Sequence, residues 1–238
     1  MTNHVLVRPR RTGAGARTGW LMVAPGLALL AVFAYWPVLR SAYLSVYGSD
    51  LLGRPTGFVG WANFARVLGD DSLLRALGTT LVITALSVGL ATGGALAAGL
   101  LLRTLAPRPR GVFGVVLSLP FAYSAAAASA AFAGLFTPSV GVLDTLAGRL
   151  GVPTPGWLTE AGWAVVSISV TTAWYEFGFA VLVVIAATAR LEPEVLEAAA
   201  LDGAGQLRTA WSVIVPMLRP STVFLLITQT VSGLQVFA

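Results

Sequence analysis

Few side chains in this chain could do chemistry, and the residue types that are missing narrow the possibilities. The 238 residues contain no Cys, no Lys and one His, His4. Without Cys there is no disulfide, thiolate metal site or iron–sulfur cluster. Without Lys there is neither a phosphate-binding P-loop nor a Schiff base. We therefore expect no catalytic residue, no metal site and no cofactor, which favours a conduit or scaffold over an enzyme.

One acid, Glu176, lies within the otherwise uncharged run 161–189. If that run spans a membrane, an acid near its centre costs about 2.5–3.5 kcal/mol or more unless it faces water or a partner. With its neighbours Trp174 and Tyr175, Glu176 could line a solute path and bind hydroxyl groups. Equally, a protonated Glu176 could form a hydrogen bond with a neighbouring helix. These three residues are the candidates for a substrate path.

A second polar segment, residues 190–219, lies between two apolar runs. Pro193 suits the first turn of a helix, because its missing N–H would be unpaired there in any case. Asp202-Gly203 predicts the end of that helix, since glycine readily adopts the left-handed conformation that closes a helix. The segment is therefore predicted to be a hairpin of two helices joined by a sharp turn at Gly203.

The second arm of this hairpin is predicted to be a helix over about 206–215. Its apolar side chains recur at intervals of three and four residues, so they share one face. Such a face needs a partner, which could be its own helix bundle or another protein. Pro216 is expected to end this helix and Pro220 to open the next. The residues of the apolar face are Leu207, Ala210, Trp211 and Ile214.

Long uncharged runs predict the elements that position these residues. The chain is 56% hydrophobic and 11% charged, whereas a soluble domain is about 25% charged. About 20 apolar residues, rising about 1.5 Å each, cross a hydrocarbon core of about 30 Å. We therefore predict an all-α, polytopic transmembrane helix bundle with about five spans. The predicted spans are residues 20–42, 76–102, 111–136, 162–188 and 220–238.

The distribution of arginine predicts the orientation of these spans. With the N-terminus in the cytoplasm, the cytoplasmic segments hold ten of the Arg residues and the external segments hold five. Basic residues concentrate on the cytoplasmic side, so we expect a cytoplasmic N-terminus and a cytoplasmic 190–219 hairpin. The alternative is that the Arg-rich residues 1–19 and the apolar run after them form a cleaved signal peptide. Aromatic residues at Tyr35-Trp36, where an interfacial belt would lie, favour a retained span.

The two long external loops are each predicted to contain a short helix. In loop 43–75, four apolar side chains share a helical face, which suits a helix lying at the membrane surface or one packed on the bundle. In loop 137–161, Gly and Pro at both ends predict turns around a helix. The four apolar residues of the first loop are Trp61, Phe64, Val67 and Leu68.

Small residues recur every four positions in the second span, over 89–99, at Gly89, Gly93, Ala97 and their neighbours. This spacing lets helices approach closely. We expect ordinary packing between helices of the bundle, in preference to a dedicated dimer seam.

The spacing within the hairpin resembles the EAA loop of ABC importer permeases. Glu197-Ala198-Ala199 is followed after three residues by Gly203, after nine more by Val213, and then by Val215-Pro216. The family pattern is E-A-A-x(3)-G-x(9)-I-x-L-P, and the two valines keep apolar bulk at the Ile and Leu positions. Stretches over about 20–238 also resemble, in order, the carbohydrate-uptake branch of that family.

The resemblance implies a permease subunit that moves a sugar or related polyol inward. The energy would come from ATP hydrolysis on a partner subunit coupled through the hairpin. The implied partners are ATP-binding cassette ATPase subunits, a second permease subunit, an extracytoplasmic solute-binding protein and the lipid bilayer, with no nucleic acid. The implied location is the bacterial inner (plasma) membrane. A cytoplasmic tail over 1–19 would precede a permease domain over 20–238.

The resemblance also assigns roles within the hairpin. Glu197 would pair with a base at the docking surface or within its own loop. Ala198 and Ala199 would leave room for close approach, and Gly203 would make the turn. Leu207 and Trp211 would contact either the ATPase or the bundle. The implied ATPase-coupling residues are Glu197, Ala198, Ala199, Gly203, Leu207, Trp211 and Pro216.

Two other functions remain open at this point. A secondary transporter could use Glu176 as a proton relay. A non-transporting scaffold or inactive fragment is the other possibility, because the family has a sixth span that would follow Phe237. The EAA spacing tells against both alternatives.

Overall fold

The structure is a computed structural model that describes residues 13–235, most of which are helical. The predicted all-α bundle is confirmed. Three of the described helices are long and apolar enough to cross a membrane, or up to five if each of two bent helix pairs is one span. Contacts group the chain into two compact units, Met1–Leu74 and Arg75–Ala238. His4 and residues 1–12 of the predicted tail lie outside the described residues.

The first unit contains helices and a small antiparallel sheet that the sequence analysis did not predict. Its elements are α1 (Gly13–Leu30), a π-helical stretch (Ala31–Tyr35), α2 (Trp36–Leu44), β1 (Tyr47–Ser49), β2 (Pro55–Phe58) and α3 (Ala62–Leu68). In the sheet, Tyr47 lies opposite Phe58. The connecting loop is held by Asp50, whose carboxylate accepts hydrogen bonds from the N–H groups of Leu52 and Arg54 at 3.0 and 2.7 Å.

The predicted first span is present, but it contains a wide turn. The helix continues from α1 through the π-helical stretch into α2, and the N–H of Trp36 donates to the carbonyl of Ala31. Pro37 follows directly. A proline has no N–H, and in a regular α-helix its ring clashes with the carbonyl four residues earlier. The wider π turn relieves that clash, which explains its place just before the proline.

The helix predicted in loop 43–75 is α3. The side-chain amide of Asn63 donates to the carbonyls of Ser45 and Tyr47, at 2.9 and 2.8 Å. These bonds tie α3 to the start of the sheet. Trp61 and Phe64 pack ring against ring with centroids 5.1 Å apart, and both side chains are exposed.

Helices also dominate the rest of the described chain, from Asp71 onward. Its elements are α4 (Asp71–Arg103), α5 (Pro107–Ser118), a 3-10 turn (Leu119–Ala122), α6 (Ala125–Phe136), α7 (Val142–Arg149), α8 (Ala161–Thr188), α9 (Pro193–Leu201), α10 (Gln206–Thr209), a π-helical stretch (Ala210–Ile214), α11 (Val215–Met217) and α12 (Arg219–Leu234). The predicted spans 76–102 and 162–188 correspond to α4 and α8, and 220–238 begins with α12. The helix predicted in loop 137–161 is α7.

The core of the second unit forms where α4, α8 and α12 meet. Ala95, Ala180 and Leu225 are completely buried there. Small residues allow the close approach, since a Cβ on Gly99 would overlap the side chain of Val184 and a Cβ on Gly233 would lie 2.8 Å from Thr84. Packing of this kind, rather than a hydrophobic force, holds helices together in lipid.

The small residues of 89–99 do pack against neighbouring helices, as predicted, but through the neighbours of Gly89, Gly93 and Ala97 and not through these three residues. All three are exposed, and a Cβ on Gly89 or Gly93 would meet nothing within 4 Å. A different face of α4 is buried, and its residues recur at the same interval of four. Both faces carry small residues, so the spacing alone could not distinguish them. The buried face consists of Ser87, Ala91, Ala95 and Gly99.

The third predicted span, residues 111–136, is not one helix. The helical segments Pro107–Ala122 and Ala125–Phe136 meet at an angle of 96°. Pro120 lies in the 3-10 turn, where its missing N–H disfavours a continuous α-helix. Ser124 then starts α6 as an N-cap, and its hydroxyl accepts a hydrogen bond from the N–H of Ala127 at 3.2 Å. The end of α6 before Thr137 agrees with the prediction.

Candidate functional site

The first arm of the hairpin is α9, and it begins and ends where the sequence predicts. Pro193 occupies the first turn, and Glu194 lies in that turn, where the helix dipole favours an acid. The helix ends at Leu201, and Gly203 has a φ of +74°. Only glycine adopts this left-handed conformation without a steric penalty.

The turn at Gly203 is closed by two backbone hydrogen bonds. The N–H of Gly203 donates to the carbonyl of Ala200, and the N–H of Ala204 donates to the carbonyl of Ala199, each at 3.0 Å. This pair of bonds is the Schellman motif, which satisfies carbonyls that the helix end leaves free. Ala199 therefore takes part in closing the turn through its backbone. The role that the resemblance implies for Ala199 is a different one, that of leaving room for close approach.

The second arm is less regular than predicted. It consists of α10, the π-helical stretch Ala210–Ile214 and α11, so the helix continues through Pro216 to Met217. The prediction that Pro216 ends this helix is wrong. The N–H of Val215 donates to the carbonyl of Ala210, and this wide turn accommodates the proline as it does before Pro37. The arm then meets α12 at a bend of 65°, and Pro220 lies in the first turn of α12.

Apolar side chains from both arms anchor the hairpin to the bundle. Ile214 and Leu218 are 7% and 2% exposed, and they join the core cluster of α4, α8 and α12. Leu191 and Leu196, from the start of the hairpin, pack against the same cluster. Side chains from both arms therefore enter one core together with residues of α4, α8 and α12.

Other side chains of the hairpin face away from the bundle. Leu207 and Trp211 are 75% and 64% exposed, so of their two predicted roles, bundle contact is not observed. Glu197 and Ala198 are also exposed. Within residues 13–235 the Glu197 carboxylate has no hydrogen-bond or ion-pair partner, so the pairing within its own loop is not observed. The hairpin thus exposes apolar and acidic side chains, and we call Glu197, Leu207 and Trp211 the hairpin face.

Glu176 lies in a polar cluster inside the bundle. Its side chain is 8% exposed, and Oε2 has no hydrogen-bond partner among the described residues. Its backbone carbonyl accepts a hydrogen bond from the Gln229 side chain at 3.4 Å. Gln229 in turn accepts one from the Thr92 hydroxyl at 2.7 Å. The cluster therefore connects α4, α8 and α12 through polar groups that are all buried.

Gln229 and Thr92 were not identified by the sequence analysis. An uncharged amide within the apolar run 220–238 is a signal that could have drawn attention to Gln229. Thr92 carried no such signal, because a threonine hydroxyl in a helix commonly bonds to its own backbone. Only the packing of α4 against α12 shows that the two side chains meet.

Trp174 does not lie with Glu176. Its ring makes edge-to-face contacts with Tyr123 and Phe132, at centroid distances of 5.8 and 5.2 Å. Residues two apart on a helix do not share a face, so Trp174 points toward α6 while Glu176 lies beside α12. Tyr175 is half-buried. The three substrate-path candidates therefore do not form one site within the second unit.

Hydrogen bonds to the carboxylate of Asp144 order the loop that leads into the start of α8. The carboxylate accepts bonds from the Ser139 N–H at 2.7 Å and from the Trp157 ring N–H at 3.0 Å. These donors lower the pKa of Asp144 below its ordinary value, the Ser139 N–H most of all. Ser139 has a φ of +67°, which is unusual for a residue with a side chain. Trp157 also packs on Phe136.

No group of three or more His, Asp or Glu side chains that could hold a metal ion occurs within residues 13–235. The acids are spread between the polar cluster, the loops and the hairpin. The geometry therefore offers a surface for docking and a buried polar cluster.

Comparison with protein families gives a match over residues 92–238. The family is described as "Binding-protein-dependent transport system inner membrane component". The matched region includes the hairpin, α8, α12 and the polar cluster.

Two curated relatives match most of the chain. One is the sn-glycerol-3-phosphate transport system permease protein UgpA of Agrobacterium fabrum, which is 32% identical over 89% of this chain and 72% of the relative. The other is the lactose transport system permease protein LacF of Rhizobium radiobacter, which is 34% identical over 92% of this chain and 73% of the relative.

The fold also matches solved structures. A chain of a bacterial ABC transporter involved in the import of the acidic polysaccharide alginate superimposes with a TM-score of 0.77 at 22% identity. The match covers 95% of this chain and 78% of that one. A structure of a bacterial alginate ABC transporter in complex with an alginate pentasaccharide-bound periplasmic protein gives a TM-score of 0.76 at 21% identity, over 92% and 74% of the two chains. At these identities the likeness concerns the fold alone.

Proposed function

The chain belongs to the binding-protein-dependent transport system inner membrane components, the permeases of ABC importers, and we propose that it moves a sugar or a related polyol or sugar derivative inward. ATP hydrolysis on a partner subunit drives the movement, and the 190–219 hairpin couples the two. The predicted permease domain over 20–238 is part of this proposal. The observation that carries it is the hairpin itself, which is anchored in the bundle on one side and exposed on the other.

The coupling follows from how the hairpin is built. The hairpin face docks on the ATPase subunit, with Leu207 and Trp211 as apolar anchors and Glu197 paired to a base on that subunit. The turn at Gly203 keeps the two arms at a fixed angle. When ATP binding moves the docking surface, Ile214 and Leu218 transmit the displacement to α8 and α12. Ala198 leaves space for close approach, and Pro216 sets the wide turn that orients Trp211.

The solute class is inferred from the relatives. UgpA is named for sn-glycerol-3-phosphate and LacF for lactose, and both solutes carry several hydroxyl groups. Within this chain, Glu176 could accept hydrogen bonds from such hydroxyls, because its Oε2 has no partner among the described residues. Trp174 and Tyr175 supply aromatic surface on other faces of α8. We propose that Glu176, and not these two residues, lines the solute path.

The proposal includes the orientation of the chain in the membrane and its partner proteins. The chain lies in the bacterial inner membrane with its N-terminus and the hairpin in the cytoplasm, as the arginine distribution predicts. A second permease subunit completes the path, and an extracytoplasmic binding protein delivers the solute. One solved structure of similar fold contains a periplasmic protein loaded with an alginate pentasaccharide, which supports a binding-protein partner here.

The test is to truncate the hairpin face and measure coupling. Trp211→Ala and Leu207→Ala are each made in the transporter assembled with its partner subunits and reconstituted in proteoliposomes. Truncation of a side chain that is a hot spot of an interface costs about 2 kcal/mol or more, about 30-fold in affinity, and Trp is the residue type most enriched among such anchors. We therefore expect uptake to fall at least about tenfold and the ATPase subunit to dissociate more readily, while the permease still inserts.

Ser212→Ala is the matched control. Ser212 is exposed on the same arm, next to Trp211, and its loss removes a small polar group that anchors nothing. We expect its uptake to equal that of the unmodified protein. Normal uptake by both truncation variants would refute docking through the hairpin face. Solute uptake that persists without the ATPase subunit would instead favour a secondary transporter.

A further inference from the structure

The length of the first span determines how deep in the membrane its end lies. The uncharged run 18–39 is about 33 Å long at about 1.5 Å per residue, which matches a hydrocarbon core of about 30 Å. Arg40 therefore lies where the core ends. The helix continues to Leu44, so Ser45 lies about 7 Å beyond Arg40. The headgroup region extends about 5–8 Å past the core on each side, and Ser45 is within it.

Three hydrogen bonds hold α3 at that depth. The side-chain amide of Asn63 donates to the carbonyls of Ser45 and Tyr47, at 2.9 and 2.8 Å. The N–H of Val59, shortly before α3, donates to the carbonyl of Val46 at 2.9 Å. All of these acceptors belong to residues that closely follow α2. Helix α3 is therefore attached beside the end of the span, at the depth of the headgroups.

The apolar side chains of α3 lie on a face away from this attachment. Successive residues of a helix turn by about 100°, so Trp61, Phe64 and Leu68 fall within about 60° of one another. Asn63 is at least about 100° from each of them, and Arg66 is at least about 140° away. Trp61 and Leu68 are 77% and 71% exposed, and Phe64 is 39% exposed. This apolar face is therefore open to its surroundings.

Other aromatic side chains lie near the end of the span. Tyr43, Tyr47 and Phe58 form a row of rings, with centroids 4.7 Å apart for the first pair and 5.6 Å for the second. Tyr and Trp concentrate at membrane–water interfaces, because their rings are apolar and their polar groups reach water. The span itself is not buried within the described residues. Its apolar surface therefore extends through this row to the depth of α3.

We propose that α3 is an interfacial helix, with Trp61, Phe64 and Leu68 inserted between the headgroups and the acyl chains of the outer leaflet. Helices that lie on a membrane have Trp, Phe and Leu on one face and basic residues on the other, and Arg66 meets the second requirement. The position of α3 on the external side rests on the proposed function, because it depends on the orientation of the first span. In this position α3 resists movement of the span along the membrane normal.

The test uses the absence of native Cys. Leu68→Cys and Arg66→Cys are each labelled with an environment-sensitive fluorophore in the transporter assembled with cysteine-free partner subunits and reconstituted in proteoliposomes. Quenching is measured with phosphatidylcholine that carries a nitroxide near the top of its acyl chain and, separately, with iodide in water. We expect the nitroxide lipid to quench the label at position 68 at least about twofold more strongly than the label at position 66, and iodide to show the reverse order.

Arg66→Cys is the matched control, since it lies two residues away on another face of the same helix and is also exposed. Iodide quenching that is equal at both positions, or stronger at 68, would overturn the proposal, because the apolar face would then be in water. A label at 68 that neither quencher reaches would also overturn it, because a partner protein would then cover the face. The nitroxide lipid is present in both leaflets and no transport is measured, so these outcomes are independent of the proposed function.

Discussion

Gly203 is the residue on which the geometry of the hairpin depends most directly. At a φ of +74°, a β-branched side chain costs about 1–2 kcal/mol and moves the chain out of the left-handed region. We expect Gly203→Val to abolish solute uptake, because the second arm would leave α9 at a different angle. Membrane insertion should be intact, because the spans are unchanged. Uptake in proteoliposomes and membrane content by immunoblot measure the two effects.

Gly205 supplies the matched control for that substitution. It lies two residues later in the same turn, with an ordinary φ of −64° at the N-cap of α10, and a Cβ there meets nothing within 4 Å. Gly205→Ser should keep full uptake, since serine is a preferred N-cap residue. Normal uptake in Gly203→Val would show that the left-handed turn is dispensable.

Glu176 gives a prediction about solute affinity. If its carboxylate accepts hydrogen bonds from solute hydroxyls, Glu176→Gln replaces a charge-assisted bond with a weaker neutral one. We expect the concentration for half-maximal uptake to rise about tenfold at normal expression. Thr92→Val, which removes the partner of Gln229 without touching Glu176, should leave that concentration within about twofold. An unchanged value in Glu176→Gln would assign the acid to packing of the bundle.

The lowered pKa of Asp144 predicts that the structure of the loop before α8 depends on pH. Its pKa is lowered in the folded loop, chiefly by the Ser139 N–H. A lowered pKa means that the ionised form stabilises the loop above the ordinary value of about 3.9, and that this stabilisation is lost as the pH falls through the folded value. We expect the fluorescence of Trp157 to be constant between about pH 5 and 7 and to shift below about pH 4.

The spectrum of the Trp157→Phe variant is subtracted from that of the unmodified protein, which leaves the fluorescence change of Trp157. Asp144→Ala should show the low-pH spectrum at pH 7, because it lacks the acceptor for both N–H groups. If that variant keeps the spectrum of the unmodified protein, the loop is held by contacts other than the hydrogen bonds to Asp144.

Helix packing in the bundle gives a prediction at the level of elements. A side chain on Gly99 would overlap Val184 of α8, whereas one on Gly93 points into open space. Overpacking of this kind costs about 1–3 kcal/mol. We expect Gly99→Leu to lower the stability of the purified chain in detergent and Gly93→Leu to leave it unchanged, as measured by circular dichroism during titration with sodium dodecyl sulfate. Equal stability of the two variants would contradict the packing of α4 on α8.

The elements also show where sequence reasoning succeeds. Runs of about 20 uncharged residues identified α4 and α8, because their length and composition leave few alternatives. The turn at Gly203 followed from local chemistry, since one residue type suits it. The break at Tyr123 was missed, although Pro120 and the capping Ser124 both signalled it. The outward face of Gly89 and Gly93 could not be foreseen, because it depends on which helix packs beside α4.

The whole molecule is an arrangement of helices whose partners come from distant parts of the sequence. Thr92 and Gln229 are 137 positions apart, yet their side chains are hydrogen bonded. No local pattern predicts such a pair, so the polar cluster around Glu176 emerged only from the fold. The hairpin itself was visible in the sequence, but its predicted apolar face is divided in the structure: Ile214 is buried in the bundle, whereas Leu207 and Trp211 are exposed.

The orientation of the whole molecule is testable by cysteine labelling, and the absence of native Cys makes this direct. Gln206→Cys, in the hairpin, should react with a membrane-impermeant maleimide in inverted vesicles and be protected in intact cells. Val140→Cys, in the loop at the other end of α8, should show the reverse. The unmodified chain serves as the blank. Labelling of Gln206→Cys from outside intact cells would reverse the proposed topology.

The two π turns before Pro37 and Pro216 determine how the helices around them would tolerate the deletion of one residue. A π turn contains one residue more than an α turn, so it behaves like an insertion that has been absorbed without rotating the helix beyond it. Deleting one residue there would restore a regular helix with both flanks in phase, but the proline would then clash. Deletion combined with replacement of the proline should therefore be tolerated better than the deletion alone.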